Sequence, residues 1–518
     1  MLFFQKKCVQ ARILGLLVNI KKQTMKSLTM TLLGSRFYRK IGFGLRPDED
    51  IPRDRLNWAV EQVSGIPPLI WPGKIYSVDE MLDIRTSFLS AEQKLEQTIT
   101  DPNELRKKRE ALYHEKGRRF FEPYELAIRH HQAILSDKAV FERFQHFWGN
   151  HFAIVDKIKL ATFNTGPYQR QTIRNQMNKR FADLVMATTL SFPMMRSLDN
   201  FLSRGPNSKF SKNKNRKKKV NGLNENHGRE LLELHTVSPT AGYSQKDVIN
   251  AAYILTGWGM WDGKKSQEGK KVSFHGDMHE PGSHTVLDKV YKTKGFNEKT
   301  KGRNQLTDLV EDLCRNPICI DFITEKLCRH FICDQPTKPM VDHVKAAWKA
   351  NDGALPAIHV AVLEAADRYG DEHYKFQSPE IWLLQSARML GGEWPGDPSF
   401  FKYDFREKPT GKMRKPAWIL SEIGHSPFRA KQPNGFPDDM ASWLSPEYLV
   451  RRLTLAQSAK RIGLTDKKRP LKQTISAAVE RNFESSIFWE DLLEGLGAGV
   501  DERSLSVAFL CSKEVLRS

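Results

Sequence analysis

Residues 224–236 read NENHGRELLELHT. At ~100° per residue on a helix, Glu225, Asn226, Arg229, Glu230 and Glu233 fall within one polar sector roughly 140° wide. Leu231, Leu232 and Leu234 take the remainder, while His227, Leu231 and His235 step along a shared flank. A carboxylate-rich face backed by leucines predicts a helix over 223–236.

The same period runs outward in both directions. Asp101-Pro102-Asn103 opens a charged helix that ends before Gly117, and Ser136 precedes a helix with Val140, Phe144 and Phe147 on one face. Ser244 and Asp247 have the form of a reciprocal cap, starting a helix that ends at Gly257. Ser378-Pro379-Glu380 and Ser445-Pro446-Glu447 each place a capping hydroxyl before a proline, then a carboxylate near the positive helix end. Strand signals are confined to Lys271–Phe274 and His284–Tyr291, which flank Pro281-Gly282 and suit a small hairpin or an ordered loop. The expected fold is mainly α, a large multi-helical bundle-like domain with one small β excursion near 271–291. Three parts are expected: a basic extension at 1–30, a helical domain at 31–460 with a basic insertion at 203–220, and a helical segment at 461–518.

The chain has 518 residues and a net charge of +20, which favours polyanions or acidic surfaces as neighbours. Ser203–Val220 holds eight basic residues and no acidic one. Such a block is a solvated loop or a polyanion contact through Lys209, Lys212, Lys214, Arg216, Lys217, Lys218 and Lys219. Phe210 is its sole ring able to stack on a base. Cys314, Cys319, Cys328 and Cys333 form C-x4-C-x8-C-x4-C in a segment that otherwise reads as helix, a spacing unlike a zinc knuckle, so buried free thiols are expected. No apolar run is long enough to span a bilayer. Arg12–Ile20 is too short and lacks a small-residue cleavage site, so a cytoplasmic location is the default and export the alternative. Met25 and Met30 are alternative starts to Met1.

Chemistry-bearing residues gather in three places. The 224–236 face is either a solvent-facing stripe, with Glu225–Arg229 as an i,i+4 pair, or the wall of a pocket whose crowded carboxylates invite a cation. His227 and His235 are two turns apart, roughly 12 Å along a helix, too far to share a metal. In 146–152, His146 and Asn150 share a helix face and His151 turns away, with Gly149 expected to weaken or end the helix. His275–His279 lies in a Gly/Pro-rich loop suited to a site mouth. Nucleophile elbows and phosphate-binding glycine loops are missing, which disfavours nucleotide chemistry.

Taken in order, these landmarks resemble the bacterial domain of unknown function 1800 family. They are Ile41–Gly44, Phe147–Phe152, Phe192–Met195, Leu198–Asn200, the 224–236 string, Tyr243–Trp258, His279–Gly282, and Asn434–Pro437 followed by Trp443. The resemblance covers roughly 31 to 460. It implies a helical protein, often exported and often encoded beside a domain of unknown function 1501 family member, with no known activity. The long basic loop, the lack of a clear export signal and His227 in place of the usual aromatic depart from the family pattern.

Two main functions are therefore expected. One is a polar pocket lined by Trp148, Asn150, His151, Asp199, Asn200, Glu225, Asn226, Arg229, Glu230, Glu233, His235 and His279. A divalent metal on His151, Glu230, Glu233, His235 and His279 would support hydrolysis or redox chemistry there. The other is a non-enzymatic assembly partner for the domain of unknown function 1501 protein. Polyanion binding through the basic loop is a third, weaker alternative.

Overall fold

The computed structural model describes residues 34–115, 117–156, 159–213, 222–261, 268–295, 297, 299–395, 416–497 and 499–518. The N-terminal extension, Cys8 and Lys214–Lys219 lie outside them. Helices dominate, as the periodicity predicts. No helix among the described residues is long and apolar enough to cross a membrane.

The elements that matter for the site are α1 (Gly34–Ile41), α2 (Arg118–Leu135), α3 (Ala139–His151), α4 (Phe181–Thr189), α5 (Asn226–Glu230), α6 (Gln245–Leu255), α7 (Asn304–Arg315), α8 (Pro317–Phe331), α9 (Lys338–Ala350), α10 (Leu355–Tyr369), α11 (Pro379–Met389), α12 (Pro446–Ala456) and α13 (Leu471–Asn482). Two large hydrophobic clusters organise them. The first joins α1, α3, α4 and α6–α10; the second joins α11–α13 and the C-terminal residues. Helix α1 contributes Phe37, Tyr38 and Ile41 to the first cluster, and Phe43, two residues beyond it, belongs to the second.

Helix α3 runs through the first cluster and is buried on nearly every side, the usual place for a helix without a clear polar stripe. It passes through Gly149 rather than ending there. A Cβ at Gly149 would meet the Gln169 side chain at 2.8 Å, so glycine admits a neighbouring chain here rather than weakening the helix.

Local chemistry accounts for several boundaries. Ser244 and Asp247 form the reciprocal cap at α6, and Ser445 caps α12 by accepting from Tyr448. The cysteine-rich segment is two helices, because Asn316 caps the second by accepting from Ile318 (2.9 Å) and Pro317 opens it. Its four cysteines are buried free thiols.

The β excursion is two hairpins instead of one. Strand β1 (Trp258–Trp261) pairs with β2 (Glu268–Phe274), placing Trp258 opposite Phe274, and β3 (His284–Val286) pairs with β4 (Lys289–Tyr291). Leu287 and Asp288 both adopt positive φ, forming a tight two-residue turn that closes 284–291 on itself.

Candidate functional site

The 224–236 string departs from a uniform helix. Five α-helical residues, Asn226–Glu230, give way to a π-helical turn over Leu231–His235, and a second such turn covers Gln169–Ile173. Wide turns of this kind concentrate at functional sites and shift the residues after them off a constant angular step. The polar face lies at the surface. Glu225, Arg229, Glu230 and Glu233 are half-exposed and Asn226 is exposed. Glu225 and Arg229 pair at 3.4 Å, Gln245 bonds to both, and Tyr243 donates to Glu233 (3.2 Å). Burial, then the Glu233 charge, push Glu230 up to about 7.

Of the other expected pocket residues, Trp148, His151 and His235 stay together, with ring centroids 5.7 Å (Trp148–His151) and 6.4 Å (His151–His235) apart. Trp148 is in the core, donating to His359 Nε2 (3.0 Å). Asn200 is buried and donates to the Leu255 carbonyl (3.3 Å), while Asp199 takes a left-handed φ of 59° beside it. His151 is buried against Lys326, whose Nζ lies 3.0 Å from Nδ1, and against the His235 carbonyl. His235 and His227 are buried, with no hydrogen bond on either ring nitrogen among the described residues. His279 lies against the Thr256 carbonyl (2.8 Å) and Gln305 Oε1 (2.7 Å).

Among the described residues, no group of three or more His, Cys, Asp or Glu side chains is arranged to hold a metal ion. Of the eight basic residues in the segment, Arg204, Lys209 and Lys212 are described. Phe210 between the two lysines, the one ring of the segment able to stack on a base, is buried, its amide bonded to the Asp277 carbonyl.

A different set of residues does converge. A cleft with a cavity of about 40 Å³ is lined by α2 (Arg129), α3 (His146, Gly149, Asn150), Gln169 of the π-turn, α8 (His330), Ser378 and Glu380 at the start of α11, and His425 and Phe436–Asp438. A neighbouring cavity of about 30 Å³ shares Arg129, His146 and Gln169. The cleft includes one predicted residue, Asn150. Its amide receives the Phe436 N–H and donates to the Phe436 carbonyl, both at 2.9 Å, clamping the 434–437 segment to α3.

At the centre is Glu380, which lies in the first turn of α11, as its position after Ser378-Pro379 predicts, and is buried. Arg129 meets it at 2.9 and 3.1 Å in a two-pronged pair, and His130 Nε2 is 3.2 Å away. Burial opposes ionisation, but Arg129 and its neighbours hold the carboxyl well below the usual range. The Ser378 side chain makes no capping bond. The amide of Glu380 instead lies 3.3 Å from His425 Nδ1.

Obligate donors fix the imidazole tautomers. Trp394 donates to His130 Nδ1 (3.0 Å), leaving Nε2–H for Glu380. Arg143 donates to His330 Nε2 (3.0 Å), leaving Nδ1–H for Asp438 at 2.6 Å. Burial lowers the pKa of both histidines.

His146 is the exception. Burial holds it neutral, and neither ring nitrogen has a hydrogen bond among the described residues; its nearest charged partner is Glu380 Oε2, at 3.8 Å. Every other buried polar side chain of α3 makes at least one bond, Glu142 to Arg174, Arg143 to His330, Gln145 to the Gln169 carbonyl and His151 to Lys326, with Arg143 Nη1 and Gln145 Oε1 also left without a partner among the described residues.

The family model for proteins of unknown function, DUF1800, matches residues 36–498. The chain belongs to the DUF1800 family. The match runs through the cleft and past residue 460, so the second hydrophobic cluster is largely within the DUF1800 region. No curated protein and no solved structure matches this DUF1800 chain.

Arg129, His130 and His425 were not singled out from sequence, and Glu380 was read there only as a carboxylate at a helix start, because some 250 residues separate the Glu380 helix from α2. The available signal was the Arg129-His130-His131 run in the second half of α2, and a carboxylate opening a helix with no other acidic residue.

Proposed function

We propose that the chain binds a small polar molecule, or the polar end of a larger one, in the cleft around His146 and Glu380, with His146 as its acid–base group. The observation that carries this reading is the imidazole of His146, bonded at neither nitrogen among the described residues, on a helix whose other buried polar side chains each make at least one bond. Leaving a buried polar group unmade costs about 1–3 kcal/mol. A site that takes a ligand there recovers that cost on binding.

A neutral imidazole offers one donor and one acceptor, so the ligand presents both. Arg129 and Glu380 neutralise each other, and Gln169, Asn150 and His425 add uncharged polar groups. If His146 takes a proton from the ligand, the Glu380 carboxylate stabilises the imidazolium, as a general base requires. At about 40 and 30 Å³ the cavities have room for a few waters each, so a larger ligand enters when the 434–437 segment moves.

Substitution of His146 by Leu separates a ligand site from a structural histidine. The reading expects His146→Leu to unfold at equal or higher temperature than the wild type, gaining about 1–3 kcal/mol. A thermal-shift panel of small amides, carboxylates and polyols should then stabilise the wild type and leave His146→Leu unmoved. A variant several kcal/mol less stable, or one that responds to the same compounds as the wild type, would overturn the proposal.

A further inference from the structure

A second cavity, of about 220 Å³, lies where the start of α4 meets the ends of α7 and α9, and it shares no lining residue with the His146 cleft. Its wall is apolar. Phe181, Cys314, Ile320 and Trp348 are buried, and Phe181 meets Trp348 edge-on at 5.1 Å.

Its mouth is charged and built. Arg180 pairs with Glu311 (2.5 Å) and Asp352 (3.0 Å), and Arg315 pairs with the same two carboxylates at 3.1 and 3.0 Å. Asp352 and Gly353 both take left-handed φ, 45° and 74°, in a turn that brings the Gly353 carbonyl to the Phe181 amide (2.8 Å). An aspartate held in that region marks a backbone constrained by its surroundings. The two arginines face three carboxylates, because Asp183 also pairs with Arg180 at 3.6 Å. Lys349, also at the mouth and exposed, makes no ion pair among the described residues, so its ammonium is the mouth cation without a carboxylate partner there.

We propose that this cavity binds a small aromatic carboxylate of about benzoate size. The ring would lie against Phe181 and Trp348, and the carboxylate would meet Lys349 and Arg315 at the mouth. Size supports the assignment, since an apolar cavity of roughly 150 Å³ takes up benzene and the additional volume suits one carboxylate. The pairing pattern supports it too: Lys349 has no carboxylate partner among the described residues and can take one from a ligand, and an inorganic anion would leave the aromatic wall uncovered.

Calorimetric titration of the full chain with benzoate and with benzyl alcohol tests the inference independently of the His146 cleft. Benzoate should bind saturably at millimolar concentration or below, about tenfold tighter than benzyl alcohol. Lys349→Met should weaken benzoate by about tenfold and leave benzyl alcohol unchanged. Ala182→Leu, which projects into the cavity, should abolish both. Equal binding of the two compounds, or unchanged benzoate affinity in Lys349→Met, overturns the carboxylate assignment. No saturable binding of either compound overturns the site, and because Lys349 is exposed, its variant remains informative if Ala182→Leu fails to fold.

Discussion

Single residues of this protein are most informative where burial and hydrogen bonding disagree. Glu230 has one oxygen buried without a partner and Glu233 beside it, so its carboxyl titrates up at about 7. A carboxyl whose pKa rises on folding contributes stability that is fully present below its ordinary pKa, and that contribution is lost as pH rises through 7. Glu230→Gln keeps the neutral shape and removes the titration. Urea unfolding should therefore give similar stabilities for variant and wild type near pH 4. Near pH 8 the variant should be ahead by about 1 kcal/mol, a figure discounted for solvent screening of a half-exposed group. A constant difference across that range would mean that Glu230 does not titrate there.

At the scale of elements, the cleft depends on the 425–438 segment lying against α3, and two devices hold it. The Asn150 amide replaces a backbone partner for Phe436, and Asp438 is gripped by His330 and by Lys375, whose Nζ is 3.6 Å from Asp438 Oδ1. Asn150→Ala strips both bonds from Phe436, at a cost of about 1–3 kcal/mol. Limited proteolysis should show faster cleavage between α11 and α12, with the remainder of the chain as resistant as before; unchanged cleavage would show that Asp438 holds the segment without Asn150. The Asn434–Pro437 landmark and the shared face of His146 and Asn150 were legible in sequence because each is a local pattern. The caps at Ser244 and Ser445 were legible for the same reason. What escaped was set by distant partners. The π-turns follow no local signature, Ser378 lost its cap to His425, and Glu380 has its role from Arg129 and His130 on another helix.

At the scale of the whole molecule, the two large hydrophobic clusters meet at α1, where the joint is most exacting. Lys40, 1% exposed, donates to the carbonyls of Ile332, Gly370 and His373 (3.0, 2.8 and 2.7 Å), tying α1 to the ends of α8 and α10. Its neighbour Arg39, 4% exposed, donates to the carbonyls of Asn482, Glu514 and Arg517 (2.8, 2.6 and 2.8 Å), tying α1 to α13 and the C-terminus. Two adjacent cations on one short helix thus satisfy six carbonyls, three on each side. Arg39→Ala orphans the three on the second side while leaving Lys40 and the first cluster intact. The expected loss is about 2–4 kcal/mol, larger than for a surface arginine because the carbonyls have no other donor at hand. The loss should also be one-sided. Denaturant unfolding followed by amide exchange should show residues 471–518 opening at lower denaturant than α7–α10, whereas the wild type opens both together. Arg39→Lys, with a compact ammonium in place of a spread guanidinium, cannot reach all three carbonyls and should fall between the two. If Arg39→Ala loosens both clusters equally, α1 is a common support rather than a joint, and the cohesion between the clusters must come from the packing of Phe43 and from Arg388, which holds the Gly44 carbonyl at 2.8 Å.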